Sequence, residues 1–434
     1  MTETPTVVIT GTGSCTGAGP DNDNFVAALA AGGGAFQPFP APLDLLPPGF
    51  GGVATSDRTL PRKLPGGRAL RPSTMTRYTF LSTIGLGLAL LDSGLDPEPA
   101  DAEAIRRSLF LGSYVNLPEM AKYVGMSHLA RERAASAEGR YEVDDSKVMQ
   151  GMKRFTGFEF LRLMNNMPVA HGAIQARCKG PCNTYMGFCQ AGLQAVGAGL
   201  RHIQDGLTDT ALCGGAGSAV IEHALMYKAY RGLLSRVEDP DAACRPFDRA
   251  ASGLVPGEGA GMVVLETADS AAARDARVLG TLRGYASGFT PPTERRGLPA
   301  SPDGLVSTLE AALSDAGVTA GEVDLLVPTG HGVPALDALE LAAYRRVFGD
   351  HLDRMQVLIH TPVTGFAEAA HGALGLTSAI TALNAATPLI GWQPADAIDG
   401  FPAGGPPTGR PRRALVVAFA MEGSSAAVVV DGTA

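Results

Sequence analysis

Apolar residues follow two alternating patterns along the chain. Short β-branched runs predict buried strands, and longer segments with an apolar residue every three or four positions predict helices. The predicted strands cover residues 5–9, 108–113, 181–188, 210–212, 261–265, 278–285, 323–327, 355–359, 413–419 and 426–431. The predicted helices cover residues 76–91, 190–205, 304–316, 337–348 and 371–384. Because strands and helices alternate, we expect an α/β fold whose sheets are mostly parallel and covered by helices.

The order of these elements is similar in the two parts of the chain, which indicates an internal duplication. We place the boundary between Thr267 and Val278, so that residues 1–270 form an N-terminal half and residues 271–434 a C-terminal half. Residues 35–72 are rich in proline and glycine and are expected to cross the surface. Residues 118–165 are expected to form a cap or an interface insertion.

The glycines after the first predicted strand indicate a tight turn. Gly11, Gly13 and Gly17 do not have the spacing of a dinucleotide-binding loop, and no acidic ribose partner is evident. We therefore expect a turn rather than a phosphate site.

The charge of the chain limits its partners. The net charge is −8, which argues against a nucleic-acid-binding surface. Charged residues make up only 18% of the chain, where about 25% is usual, so we expect much surface to be buried between halves or subunits. One basic stretch is either a solvated face or a docking patch for an acidic partner; it contains Arg58, Arg62, Lys63, Arg68, Arg71 and Arg77.

The remaining composition predicts a cytoplasmic protein. The six cysteines form no CxxC pair, so neither disulfides nor a metal site is indicated, and no motif indicates a cofactor. The N-terminal MTETPTVVIT does not resemble a signal peptide. The sequence has no apolar run of about 18 residues, the length that a membrane-spanning helix needs.

Cys189 is the main candidate for chemistry. It lies between a predicted strand and a predicted helix, and Gly187 and Gly192 leave little side-chain bulk around it. Unpaired N–H groups at a helix start favour a thiolate, so we expect this position to lower the pKa of the thiol. The local pattern fits a nucleophile on a tight turn or a small buried core cysteine equally well.

Four segments carry longer motifs. VVITGTGSCTGAG opens the chain, GPCNTYMGFCQAGLQA surrounds Cys189, ALCGGAGSAV follows, and CRPFDRAASGLVPGEGAGMVVLE contains Glu258. In this order, over nearly the whole length, they resemble the β-ketoacyl synthase family. These are the elongating condensing enzymes of fatty-acid and type II polyketide synthesis.

The resemblance implies a thiolase-like fold, with two duplicated α/β halves stacked in five αβαβα layers, usually as a dimer. It implies that Cys189 takes an acyl group from an acyl carrier protein. In the family, two histidines then assist malonyl decarboxylation. The backbone N–H groups of the cysteine and of a C-terminal glycine-rich loop form the oxyanion hole.

The first histidine motif of the family is altered here. The matching segment is PTGHGVPALDALE, in which Asp337 and Glu340 keep the register as supporting carboxylates. The position of the histidine then holds Thr329.

The second histidine motif is altered as well. In HTPVTGFAEAAHG, Thr361 stands at the family's lysine and Phe366 at its second histidine. Phenylalanine cannot donate a hydrogen bond, so decarboxylation by the usual residues is not expected. Three histidines in the altered segments are possible displaced bases: His331, His360 and His371.

The C-terminal loop also departs from the family pattern. It reads Ala420, Met421, Glu422 and Gly423, so two glycines and the gating aromatic residue are replaced. We expect this loop to line or fill the acyl tunnel and to contribute to the oxyanion hole.

Four functions remain open. The favoured one is a partner subunit that resembles the chain length factor of type II polyketide synthases, although those proteins usually carry glutamine at the position of Cys189. Gln190 lies one residue further on and does not replace it. The alternatives are an acyltransferase that uses Cys189 without decarboxylation, a condensing enzyme with displaced histidines, and a binding protein. The expected partners are an acyl carrier protein and either a second copy of the chain or a catalytically complete ketosynthase.

Overall fold

The computed structural model describes residues 4–115, 161–292, 297–402 and 409–433, apart from residues 35, 41–42 and 44–45. It also describes the backbone of two short paired strands, Arg131–Arg133 and Tyr141–Val143. The cap or interface insertion expected at residues 118–165 therefore lies almost entirely outside the described residues.

The strands and helices confirm the elements predicted from the apolar pattern, with shifted ends. The strands are β1 (Val7–Thr16), β2 (Gln37–Pro38), β3 (Phe50–Gly51), β4 (Arg107–Ser113), β5 (Arg131–Arg133), β6 (Tyr141–Val143), β7 (Cys182–Met186), β8 (Thr210–Ser218), β9 (Glu258–Thr267), β10 (Gly280–Phe289), β11 (Leu325–Val327), β12 (Gln356–Val357), β13 (Arg413–Phe419) and β14 (Ser424–Asp431). The α-helices are α1 (Asn22–Ala31), α2 (Leu60–Lys63), α3 (Arg77–Ser93), α4 (Asp101–Ile105), α5 (Met167–Ala176), α6 (Ala191–Gln204), α7 (Glu222–Tyr230), α8 (Pro240–Ala243), α9 (Ala268–Ala273), α10 (Asp303–Ala316), α11 (Pro334–Phe348), α12 (Thr361–Thr364) and α13 (His371–Asn384). Eight of these helices were not predicted, and most of them are short: α1, α2, α4, α5, α7, α8, α9 and α12.

The main sheet repeats one topology twice. Its order is β12-β11-β13-β14-β10-β1-β9-β8-β4-β7. A short antiparallel contact joins the halves, with Val8 opposite Thr281 and Ile9 opposite Gly280. Each half contributes five strands to this sheet. If these are numbered along the chain, their order outward from the contact is first, fifth, fourth, second and third in both halves. A duplicated fold requires such a repeat. The predicted boundary between the two halves, after residue 270, falls inside α9 and stays a prediction.

The expectation of mostly parallel sheets is wrong, because the sheet is mixed. Strand β4 is parallel to β7 and β8, and β11 is parallel to β12 and β13. The other five neighbouring pairs are antiparallel. The reason is that the fifth strand of each half runs against both the first and the fourth, which an alternation of strands and helices along the chain does not reveal.

The helices form three layers around the two halves of the sheet. Helices α6 and α13 pack on each other and on strands of both halves, so they make the central layer. Helix α3 covers β1, β8 and β9 from outside, and α10 covers β10 and β14. This is the five-layer thiolase-like arrangement that the resemblance implied. Among the described residues, no helix combines the length and the apolar character needed to cross a membrane.

The expected turn at Gly11 and Gly13 is wrong, because both glycines lie inside β1. A Cβ atom on Gly13 would lie 2.0 Å from the carbonyl oxygen of Gly85, and one on Gly11 would lie 2.7 Å from that of Ala89. Glycine is therefore required by the close approach of α3 to the strand, not by a turn.

Candidate active site

Cys189 lies in the turn between β7 and α6 and is fully buried. Its carbonyl oxygen accepts a hydrogen bond of 3.1 Å from the N–H of Gly372, which ties the starts of α6 and α13 together. Burial raises the pKa of the thiol well above its usual value, and the carboxylates of Glu422 and Glu340 act in the same direction. The backbone of Cys189 and the Lys228 ammonium oppose this shift. The expected lowering of the thiol pKa is wrong, because desolvation outweighs the N–H groups at the helix start.

Thr329, which the motif spacing predicts at the position of the first histidine, follows β11 and is fully buried. Its hydroxyl accepts a hydrogen bond from the N–H of Phe419 at 2.8 Å. Its carbonyl oxygen accepts hydrogen bonds from the Thr361 hydroxyl at 2.8 Å and from Nε2 of His371 at 3.0 Å. The structure thus brings Thr329, Thr361 and His371 together through hydrogen bonds to one another and to backbone. Nδ1 of His371 has no hydrogen-bond partner among the described residues.

Glu340 fixes the backbone at Thr329. Its Oε1 accepts hydrogen bonds from the N–H of Thr329 and the hydroxyl of Tyr344, both at 2.6 Å, and its Oε2 accepts one from the N–H of Gly330 at 3.0 Å. Burial raises the pKa of the Glu340 carboxyl, while these hydrogen bonds act against the rise. The residue acts as a scaffold for the loop after β11.

Asp337 supports the next part of the same loop. It accepts hydrogen bonds from the N–H groups of His331 at 2.9 Å, Gly332 at 3.1 Å and Phe247 at 2.9 Å. Burial raises the pKa of the Asp337 carboxyl to about 8, and the backbone hydrogen bonds limit that rise.

His331, Asp337 and Glu340 form a buried cluster whose potential metal-ligating atoms lie within 4.8 Å of one another. Both carboxylates already accept backbone N–H groups, and a cation would have to compete with those donors for the same oxygens. We therefore assign the cluster to loop support and propose no metal there.

Phe366, which the motif spacing predicts at the position of the second histidine, is fully buried among other rings. Its ring centroid lies 5.2 Å from that of His331, at an interplanar angle of 29°, and 4.9 Å from that of His371. Its N–H donates to the carbonyl of Val255 at 2.8 Å, and its own carbonyl accepts from the N–H of Gly257 at 3.0 Å. An apolar ring therefore stands at the position that the motif spacing predicts for the family's second histidine.

The three histidines considered as displaced bases are all buried, and two of them contact Phe366. The rings of His360 and His371 lie 4.4 Å apart. Burial lowers the pKa of His331 to about 3 and that of His371 to about 4, and it lowers the pKa of His360 well below its usual value. Neither ring nitrogen of His331 makes a hydrogen bond of normal geometry. All three are neutral at neutral pH, far from the pKa that suits a general acid or base.

The C-terminal loop forms a tight turn between β13 and β14. The N–H of Ala420 donates to the carbonyl of Ser424 at 2.7 Å, and the N–H of Gly423 donates to the carbonyl of Ala420 at 2.8 Å. Gly423 has φ of +95°, which favours glycine, and Met421 is buried. The N–H of Ala420 is therefore not available to an oxyanion.

Two further predicted residues lie close to this region. Gln190 stands at the N-cap position of α6 without a side-chain capping hydrogen bond. It is buried, and its side-chain oxygen has no hydrogen-bond partner among the described residues. Glu258 opens β9 and accepts hydrogen bonds from Arg77, from the N–H of Ala54 at 3.0 Å and from the hydroxyl of Ser218 at 2.8 Å. Because Arg77 is engaged in this salt bridge, its charge is not available to a partner. The other basic residues of the stretch still fit either a solvated face or a docking patch.

The site contains a buried ion pair that was not predicted from the sequence. Lys228 on α7 donates to the carboxylate of Glu368, and each side chain is only 1% exposed. The ammonium nitrogen lies 5.8 Å from the centroid of the Phe366 ring. In the sequence, Lys228 is a single lysine in ALMYKAY, and Glu368 is a glutamate between alanines in FAEAA. Neither segment indicates that the two side chains meet.

Comparisons with known proteins agree with this architecture. The profile of the β-ketoacyl synthase N-terminal domain matches residues 4–271, and that of the C-terminal domain matches residues 279–388. The chain therefore belongs to the β-ketoacyl synthase family.

Similar proteins come from polyketide synthases. The ketoacyl synthase beta subunit of the tetracenomycin polyketide synthase of Streptomyces glaucescens is 29% identical over 448 residues, which cover 98% of both chains. The actinorhodin polyketide putative beta-ketoacyl synthase 2 of Streptomyces coelicolor is 32% identical, over 65% of this chain and 69% of that one. The actinorhodin putative beta-ketoacyl synthase 1 is 30% identical, and the match covers 68% of this chain and 60% of that relative.

Solved structures share the fold. The ishigamide ketosynthase/chain length factor superimposes with a TM-score of 0.79 at 23% identity and full coverage of both chains. A type II ketosynthase in complex with its acyl carrier protein superimposes with a TM-score of 0.77 at 20% identity, covering 99% of this chain.

Proposed function

We propose that this chain is a ketosynthase-like subunit of a type II polyketide synthase and pairs, as chain length factors do, with a catalytically complete ketosynthase. The observation that carries the proposal is Phe366, an apolar ring packed between His331 and His371 at the position of the second histidine. The full-length similarity to a ketoacyl synthase beta subunit supports it.

The neighbouring hydroxyls do not replace the missing imidazoles. Thr329 and Thr361 are both engaged in hydrogen bonds inside the site. Loss of one acid–base or charge-stabilising group typically costs roughly 10²- to 10⁴-fold in rate. With both histidines and the lysine replaced, decarboxylative condensation is assigned to the partner ketosynthase.

An acyl carrier protein is the proposed donor of the growing chain. A fold neighbour is a ketosynthase in complex with such a protein. The basic stretch supplies positive charge for an acidic partner, through Arg58, Arg62, Lys63, Arg68 and Arg71.

Co-expression tests the pairing. We expect the chain and a type II ketosynthase with both histidines to purify together, and native mass spectrometry to give the mass of one copy of each. The ketosynthase expressed alone is the control. A stable homodimer of this chain that never takes up a ketosynthase would refute the proposal.

A second candidate function is acyl acceptance at Cys189. The observation that favours it is the position of the helix that carries the buried Lys228 ammonium: Ala224 of that helix packs in one cluster with Ala191, two residues after Cys189. Transfer of an acyl group between thiols needs no decarboxylation, so the threonine and phenylalanine at the histidine positions do not prevent it.

A further inference from the structure

The Lys228–Glu368 ion pair is costly for the fold. Both charges are almost completely buried, and the second carboxylate oxygen of Glu368 has no hydrogen-bond partner among the described residues. Glu368 also has φ of +49°, a backbone conformation that is unfavourable for a residue other than glycine. Buried ion pairs rarely stabilise more than apolar residues of similar volume would. Stability alone therefore does not explain this pair.

The pair lies in the same part of the molecule as Cys189. Ala224, one turn before Lys228 on α7, packs in one cluster with Ala191, two residues after Cys189, and with Ala369, next to Glu368. The ammonium and the thiol are close enough that each affects the pKa of the other.

A second carboxylate interacts electrostatically with the same ammonium. Glu422, in the turn after β13, accepts hydrogen bonds from the Tyr227 hydroxyl at 3.2 Å and from Arg231 at 3.4 Å. Its other oxygen is buried without a hydrogen-bond partner among the described residues. The charges of Lys228 and Arg231 lower the Glu422 pKa, while burial, the largest influence, raises it to about 7. Lys228 is thus paired with one buried carboxylate and interacts electrostatically with a second, and its ammonium lies 5.8 Å from the centroid of the Phe366 ring.

We infer that Lys228 stabilises the thiolate of Cys189 while Cys189 takes an acyl group from a thioester, and that Glu368 is a positioning residue that holds Lys228 in place. The inference rests on the acyl-acceptor function proposed above. Thr361 is predicted to stand at the position of the family's lysine. The inference therefore gives the role of a cation near the sulfur to a different residue, Lys228 on α7.

The reaction is an exchange of thiols. A bond forms between the Cys189 sulfur and the acyl carbon, and the bond between that carbon and the donor sulfur breaks. The proton that leaves the Cys189 thiol ends on the donor thiol, so no oxidant, reductant or net proton is required. A cation near the sulfur lowers the free energy of the thiolate, which is the nucleophile.

The test removes both charges together. The double variant Lys228→Met with Glu368→Met replaces the ion pair by apolar side chains of similar length and is expected to fold. Loading of Cys189 from an acyl N-acetylcysteamine thioester is followed by intact-protein mass spectrometry, and thiol reactivity is followed separately as the rate of alkylation by iodoacetamide. We expect both rates to fall about 100-fold, since a preorganised charge contributes on that scale.

The control removes the Arg274–Glu266 salt bridge, which joins α9 to β9, and both rates should stay unchanged.

The outcomes separate the two claims. Wild-type loading at Cys189 with an equal rate in the folded double variant would overturn the role of Lys228 and leave the acyl-acceptor function standing. No loading of the wild type would overturn both, without affecting the proposed pairing with a ketosynthase. Slow loading and slow alkylation in the double variant, with a normal unfolding transition, would support the inference, since a purely structural role would not change the reactivity of the thiol.

Discussion

The Lys228→Met variant is expected to lose about 3–5 kcal/mol of its free energy of unfolding. The substitution leaves the carboxylate of Glu368 buried without its cation, and Glu368 is only 1% exposed, so water cannot replace the ammonium. The lost stability is mainly the cost of an isolated buried charge rather than the strength of the original ion pair.

The double variant Lys228→Met with Glu368→Met should recover most of this loss, because it removes the isolated charge as well. Urea unfolding of the wild type, both single variants and the double variant gives the coupling free energy between the two residues. If the double variant is as unstable as Lys228→Met alone, the two side chains are not coupled in the way the structure places them.

The His331→Leu variant is expected to make the protein less sensitive to acid. Burial lowers the pKa of His331 from 6.5 to about 3, so the folded protein keeps this ring neutral while the unfolded chain protonates it below pH 6.5. The stability that depends on the neutral ring is fully present above pH 6.5 and is lost as pH falls toward 3. Each pH unit in that window costs about 1.4 kcal/mol.

Unfolding free energies of the wild type and His331→Leu, measured from pH 8 to pH 5, check this expectation. Leucine has no ring nitrogen to protonate, so the variant should gain about 2 kcal/mol relative to the wild type between pH 8 and pH 5. The value at pH 8 is the internal control, because the histidine is neutral there in both states. A constant difference across this range would show that His331 is not buried as a neutral ring.

Local patterns predicted the elements well. The apolar spacing of residues 190–205 and 371–384 identified the two helices that form the central layer, α6 and α13. The direction of the strands could not be obtained in the same way, because it depends on which strands become neighbours. The sequence predicts a turn at Gly11 and Gly13 because glycine is common in turns. In the structure, the close packing of α3 on β1 requires these glycines.

The site was only partly predictable. Motif spacing placed Thr329, Thr361 and Phe366 near one another, and the structure brings them to a common region. The pKa of Cys189 could not be predicted from its helix, because burial by the whole surrounding fold outweighs the local N–H groups. Lys228 and Glu368 are 140 positions apart in the sequence, so only the fold reveals that they meet.

We expect that this chain does not decarboxylate malonyl thioesters by itself. Release of labelled carbon dioxide from malonyl-acyl carrier protein tests it most directly, with Cys189→Ala and the single alanine variants of the three buried histidines measured beside the wild type. We predict that the purified wild-type chain releases carbon dioxide only at the background rate, which no variant changes. Release above background that disappears in His331→Ala, His360→Ala or His371→Ala would contradict the claim and identify a condensing enzyme with displaced histidines.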